Sequence, residues 1–98
     1  MKNKVKENLP LKNIKVLDVS SFIAAPLTSA IMSDYGAEVI KIESPLGDSY
    51  RNACIGGQVW PESKLDWAFL LENRNKRSLS VDLKTDEGQI ILKKLLKN

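Results

Sequence analysis

Ile14–Glu43, IKVLDVSSFIAAPLTSAIMSDYGAEVIKIE, packs a strand, a turn, a helix, a glycine stop and a second strand into one stretch. Val16-Leu17-Asp18-Val19 is short, mostly apolar and rich in β-branched residues, as a buried parallel strand is. Pro26 fits the first position of a helix, where its missing N–H costs nothing. Leu27, Ala30, Ile31 and Tyr35 recur at helical spacing and predict one apolar face. Gly36 is expected in the left-handed conformation that ends a helix, and Val39, Ile40 and Ile42 resume a strand. The pattern is a βαβ unit, for which a right-handed crossover is expected.

In open α/β sheets, ligands sit outside the carboxyl ends of the strands. The turn Ser20-Ser21-Phe22-Ile23-Ala24-Ala25-Pro26 is therefore the first place to look for a site. Small Ala24 and Ala25 let a ligand approach the backbone, and a helix N-terminus offers free N–H groups and partial positive charge to an anion. The same small residues also let helix and strand pack closely. Neither GxGxxG nor a Walker A loop is present, so on spacing alone packing is the simpler account.

Ninety-eight residues suffice for one small domain, burying about 65% of the surface of the unfolded chain. With 43% hydrophobic and 28% charged residues the composition is that of a soluble globular protein. No apolar run approaches the roughly 20 residues that span a bilayer. The basic start Met1-Lys2-Asn3-Lys4-Val5-Lys6-Glu7 is not followed by the apolar core of a signal peptide. A single cysteine, Cys54, forms no internal disulfide, which makes a cytoplasmic location the default expectation, with no membrane partner. The net charge of +3 is modest, and its lysines group at the start, around Arg74-Asn75-Lys76-Arg77 and at the end. These read as solvated faces rather than a nucleic-acid surface; the middle group suits a phosphate-bearing small ligand better. The absence of histidine removes Ser-His-Asp and Cys-His schemes and histidine-based metal sites, and no metal is expected.

Residues 1–13 read as a leader, with Leu9-Pro10-Leu11 docking before the first strand, and residues 14–98 as one α/β unit. From Ser44 to Lys64 the chain is irregular, punctuated by Pro45, Gly47, Gly56, Gly57 and Pro61; so long a loop is often functional. Leu65–Glu72 fits a short helix. Ser78–Leu83 alternates apolar and polar residues, the pattern of a half-buried strand. Thr85 is a good N-cap, and Asp86 and Glu87 place negative charge in the first turn of a last helix. Ile90, Ile91, Leu92, Leu95 and Leu96 give that helix an apolar side. Three strands with three helices make half of a doubly wound sheet, so open sheet edge and exposed apolar surface are expected unless more chain or a partner covers them. A monomer that binds no hydrophobic dye at high concentration would contradict that expectation.

The order VLDVS, AAPL, DYGAEVIKIE, GDSYR, NRNKRSLSVDLKT resembles the N-terminal part of family III CoA-transferases, the group that includes formyl-CoA, carnitine, bile-acid and phenyllactate CoA-transferases. The similarity covers about residues 11–97, and its specificity lies in the combination of Gly36–Glu43 with Asn75-Lys76-Arg77-Ser78 and Asp82-Leu83-Lys84. The resemblance implies that residues 14–98 are part of a Rossmann-like, CoA-binding large domain, in an interlocked homodimer that moves coenzyme A from an acyl-CoA to a carboxylic acid. It implies a nucleophilic aspartate forming mixed anhydrides, which lies downstream of the matched segment; the chain by itself is then expected not to turn over. It also implies CoA-lining residues: Ser21, Phe22, Ile23 and Ala24 in the turn, with Val81 and Lys84 towards the nucleotide end. Ser44 stands where many members carry arginine, and Ala25 where many carry glycine.

Lys84 follows the third strand at the edge where phosphates are expected, and with the resemblance it becomes the leading phosphate-binding candidate. Lys76 and Arg77 suit either CoA phosphates or carboxylates such as Asp82. Arg51 reads as an anchor for its loop, and Asp18 as a buried carboxylate tying a loop rather than a catalyst. Cys54 has no basic neighbour to activate it, and Trp60 and Trp67 read as packing residues rather than an adenine stack. Two other readings stand beside a transferase segment: part of an α-methylacyl-CoA racemase, and a non-catalytic interaction module or truncated remnant.

Overall fold

The computed structural model describes residues 8–51 and 67–98, with side chains in the second stretch from residue 69 onward. Three strands, β1 (Lys15–Asp18), β2 (Glu38–Glu43) and β3 (Arg77–Ser80), form one parallel sheet in the order β1-β2-β3. Helix α1 (Ala24–Asp34) connects β1 to β2, α2 (Trp67–Asn73) precedes β3, and α3 (Asp86–Leu96) follows it. The α/β class expected from the sequence is what the chain adopts.

Register explains how the charges are distributed. Asp18 pairs with Lys41 and Lys41 with Ser78, so these three lie in a row on one face of the sheet. Glu43 shares that face two residues along β2. Helices α1 and α2 pack together over it: the Ser29 hydroxyl of α1 donates to Asp18 Oδ2 at 2.7 Å, and Lys41 Nζ lies 6.0 Å from the ring centre of Phe69 in α2. On the other face, Leu17 and Ile40 look towards the end of α3 across a cavity of about 310 Å³ that Leu95 and Leu96 also line.

Helix α1 departs from the expected pattern in two ways. It starts at Ala24, so Pro26 is its third residue, still within the turn whose N–H groups have no helical partner. Of the predicted apolar face, Ala30 is buried and Leu27 half-buried, while Ile31 and Tyr35 are exposed. The buried residues of the helix are Pro26, Ser29 and Ala30, so only Ala30 of the predicted face is fully buried. The smallest face allows close approach, and Ser29 supplies a donor that the buried Asp18 needs.

Gly36 ends α1 at φ 106°, with Ala37 N donating to Met32 O at 3.1 Å. A side chain at Gly36 would place its Cβ 2.8 Å from Leu9 Cβ. Leu9-Pro10-Leu11 therefore docks as expected, and Leu11 N donates to Tyr35 O at 2.8 Å.

Strand β3 stops at Ser80, short of the expected Leu83, and all four of its residues are exposed. It is an edge strand, and no further strand pairs with its outer side among the described residues. Pairing continues one step beyond it through Val81 N to Glu43 O at 2.8 Å, and it is Val81 that is buried. Helix α3 forms as its local signals require: Thr85 Oγ1 accepts from Gly88 N at 3.0 Å, with Asp86 and Glu87 in the first turn. Ile90, Ile91 and Leu96 nevertheless remain exposed, as does Val19 just past β1.

Candidate functional site

The carboxyl ends of the three strands open into a cavity of about 390 Å³. Ser20 and Ser21 line it from the end of β1, Ser44 and Gly47 from the loop after β2, and Val81 and Lys84 from the segment after β3. Gly47, at φ 83°, lets that loop turn back over the sheet. Among the described residues Lys84 Nζ has no side-chain partner; its own N–H donates to Asp82 Oδ1 at 3.0 Å. Glu43, Asp48 and Asp82 also line the cavity; Glu43 is paired with Arg51 and Asp48 with Lys41, which leaves the exposed Lys84 ammonium as the cation of the wall for an anionic ligand.

Buried ion pairs support this wall from below. Asp18, 5% exposed, accepts from Ser20 N at 3.1 Å, from the Ser20 hydroxyl, and through Oδ2 from Lys76 Nζ at 2.8 Å. Burial pushes its carboxyl up, but the bonds from Lys76, Ser20 and Ser29 outweigh that and hold it below 3.8. Burial pushes Lys76 below its ordinary value, with Asp18 opposing. Lys41, only 1% exposed, sits 2.7 Å from Asp48 Oδ2 and donates to Ser20 O at 3.2 Å. Asp48 Oδ1 accepts from Phe22 N at 3.0 Å and Tyr50 N at 2.8 Å. For Asp48 too, burial raises the carboxyl, and the Lys41 ammonium and the two backbone N–H groups more than reverse it. Arg51 grips Glu43 through Nε and Nη2 at 3.0–3.1 Å and lies 3.9 Å above the Phe69 ring, the loop anchor read from the sequence.

The residues singled out in the sequence divide accordingly. Ser21, Val81 and Lys84 meet around the cavity. Phe22, Ile23 and Ala24 continue the same turn into α1 but are not part of the wall. Phe22 stands at φ 73°, with its ring edge-on to Tyr50 at 5.0 Å. Lys76 lies under α1, its three ammonium protons shared among Asp18 Oδ2, Pro26 O, Asn73 Oδ1 and the more distant Glu72 O. Arg77 opens β3 at the far end of the sheet and pairs with Glu38. Neither takes Asp82 as its partner. Cys54 and Trp60 lie outside the described residues, as does the Trp67 side chain.

Lys41 and Asp48 were not singled out, although a lysine between Ile40 and Ile42 in a buried strand requires a counter-charge. Among the described residues no group of His, Cys, Asp or Glu is arranged to hold a metal ion, and no helix is long and apolar enough to cross a membrane.

Residues 11–98 match CoA-transferase family III. The chain belongs to that family. Among curated family III relatives, it is 41% identical over 91 residues to the succinyl-CoA–L-malate CoA-transferase alpha subunit of Chloroflexus aurantiacus, covering 92% of this chain and 21% of that one. It is 46% identical over 88 residues to the (R)-2-hydroxy-4-methylpentanoate CoA-transferase of Clostridioides difficile, covering 88% and 22%. With the cinnamoyl-CoA:phenyllactate CoA-transferase of Clostridium sporogenes it shares 39% over 83 residues, covering 85% and 20%. Solved structures of related proteins superpose on it. Rv3272 of Mycobacterium tuberculosis, in its orthorhombic form, gives a TM-score of 0.77 at 38% identity, covering 89% of this chain and 24% of that one. A CaiB/BaiF family protein of Brucella suis gives 0.73 at 33%, covering 90% and 23%. The chain thus spans about a fifth of the length of its curated family III relatives.

Proposed function

We propose that this chain is the CoA-binding N-terminal segment of a CoA-transferase that moves CoA from an acyl-CoA to a carboxylic acid. The observation that carries the reading is the cavity at the carboxyl ends of β1–β3, where Ser21, Val81 and the unpaired Lys84 meet. In this reading Lys84 faces a phosphate of CoA, and the β1–α1 turn lies against the rest of the ligand. The nucleophilic aspartate and the surface of an interlocked homodimer belong to parts of the protein outside this chain. A cytoplasmic location is consistent with a chain that has one cysteine.

The names of the relatives favour a transferase over a racemase, and they add a substrate class. Malate, 2-hydroxy-4-methylpentanoate and phenyllactate are all 2-hydroxy acids. A 2-hydroxy acid is therefore the acceptor to assay first.

The test is titration of the isotope-labelled chain with CoA, followed by amide NMR. Shifts should concentrate at Ser20, Ser21, Val81 and Lys84. A folded spectrum that does not move, or that moves only around Arg77 and Glu38, contradicts the reading.

A further inference from the structure

We propose that Asp48, backed by Lys41, is a positioning residue for the cavity: its carboxylate fixes the β1–α1 turn in the conformation that receives the ligand. The consequence for ligand affinity rests on the CoA-binding reading above; the geometry of the turn does not.

Three backbone groups of the turn are held by buried charged side chains. Asp18 Oδ1 accepts from Ser20 N at 3.1 Å, Lys41 Nζ donates to Ser20 O at 3.2 Å, and Asp48 Oδ1 accepts from Phe22 N at 3.0 Å. Asp48 reaches the turn from 26 positions away, out of the loop after β2. Asp48, Ser20 and Ser21 all line the cavity, and the bond ties Asp48 to the residue that directly follows Ser21 in the turn.

Phe22 is where this support matters. Its φ of 73° lies in the left-handed region that a bulky side chain rarely adopts, and such residues persist only where the surroundings over-determine them. Asp48 supplies that constraint through Oδ1, which also accepts Tyr50 N at 2.8 Å. The Phe22 and Tyr50 rings, 5.0 Å apart at 73°, close the same bridge on its apolar side. Lys41 makes a charged acceptor tolerable here: Asp48 is 6% exposed, and a lone buried carboxylate would be strongly disfavoured.

The experiment separates the acceptor from the charge. In the 98-residue chain, Lys41→Met with Asp48→Asn removes both charges but keeps a side-chain oxygen for Phe22 N. Lys41→Met with Asp48→Leu removes the charges and the acceptor. CoA affinity is measured by calorimetry, and the hydrogen-exchange rate of the Phe22 amide by NMR. Both variants lose the Lys41 bond to Ser20 O, so the comparison is between them: the Leu variant should bind CoA about tenfold more weakly than the Asn variant and exchange Phe22 about tenfold faster. Asp34→Asn, at a distant ion pair with Arg74, should change neither. Equal affinity and equal Phe22 exchange in the Asn and Leu variants overturn the proposal. If the Leu variant does not fold, Asp48→Glu decides: it keeps the charge but moves the acceptor by one methylene, and unchanged affinity and exchange overturn the proposal. If the parent chain has no measurable affinity for CoA, the CoA reading fails, and Phe22 exchange alone decides the positioning role.

Discussion

Lys76 Nζ lies 2.8 Å from Asp18 Oδ2, joining the end of β1 to the residue before β3 across 58 positions of the chain, with both side chains 2% exposed. The same ammonium shares its three protons with Pro26 O and Asn73 Oδ1 at 2.8 Å and, at the longer 3.1 Å, Glu72 O. One side chain thus ties β1, α1 and α2 at a single point.

Lys76→Met should therefore be severe. Removing one partner of a buried pair leaves the other uncompensated, at a cost of about 3–5 kcal/mol. Urea unfolding followed by circular dichroism measures it, and Lys76→Met with Asp18→Asn should recover part of the loss. By contrast Asp34–Arg74, 2.5 Å apart but with side chains 39% and 35% exposed, should contribute far less, because solvent screens it. A Lys76→Met chain as stable as its parent would mean that the pair holds nothing together.

Acid should weaken the fold by the same chemistry. Asp18 and Asp48 both have carboxyls held below 3.8 in the folded chain, so protons bind more tightly to the unfolded chain. Their contribution is fully present above 3.8 and is lost as the pH falls through the lower folded-state values. Unfolding free energy should decline below that point, by at most about 1.4 kcal/mol per pH unit for each group. Asp34, held down by Arg74, acts in the same direction but is screened by solvent. Asp18→Asn should flatten the decline; an unchanged slope in that variant removes Asp18 from the account.

Gly88→Ala should destabilise, against helix propensity. Alanine for glycine inside a helix is ordinarily worth about 1 kcal/mol in its favour. At Gly88, however, a Cβ would overlap the Asp82 carbonyl oxygen and crowd Thr85 Oγ1 at 3.0 Å. Relieving the overlap means shifting the Asp82–Thr85 turn and weakening the Thr85 cap, a cost of about 1–3 kcal/mol. A lower melting temperature is the expected result. A higher one would show that the turn yields easily.

What the sequence revealed and what it hid follow one physical division. Helix α3 was legible because a cap, a dipole and a periodic stripe are local, and Thr85, Asp86 and Leu95 lie within one segment. The need of Asp18 for partners was legible too, but not their identity, since Ser29 and Lys76 reach it from distant positions. The rotation of α1 was hidden for the same reason: a carboxylate in β1 decides which face of the helix turns inward. Lys76 and Arg77, adjacent and alike in charge, part company because one precedes the strand and turns under α1 while the other opens it beside Glu38. Of the residues expected around the ligand, Ser21, Val81 and Lys84 converge on one cavity because all three follow the carboxyl ends of parallel strands.

Lys84→Ala should separate affinity from stability. The side chain is exposed and bonds to no other described side chain, so its removal should leave the unfolding midpoint unchanged within about 0.5 kcal/mol. In the proposed site it is an unpaired cation on the cavity wall, and a charged contact to phosphate is worth about 1.5–3 kcal/mol. The CoA dissociation constant should then rise by about tenfold or more, and the salt dependence of binding should become shallower as one cation is lost. Calorimetric titration of both chains at two ionic strengths measures the two effects together. Unchanged affinity with an unchanged fold would place the phosphates elsewhere and leave Lys84 a solvated lysine.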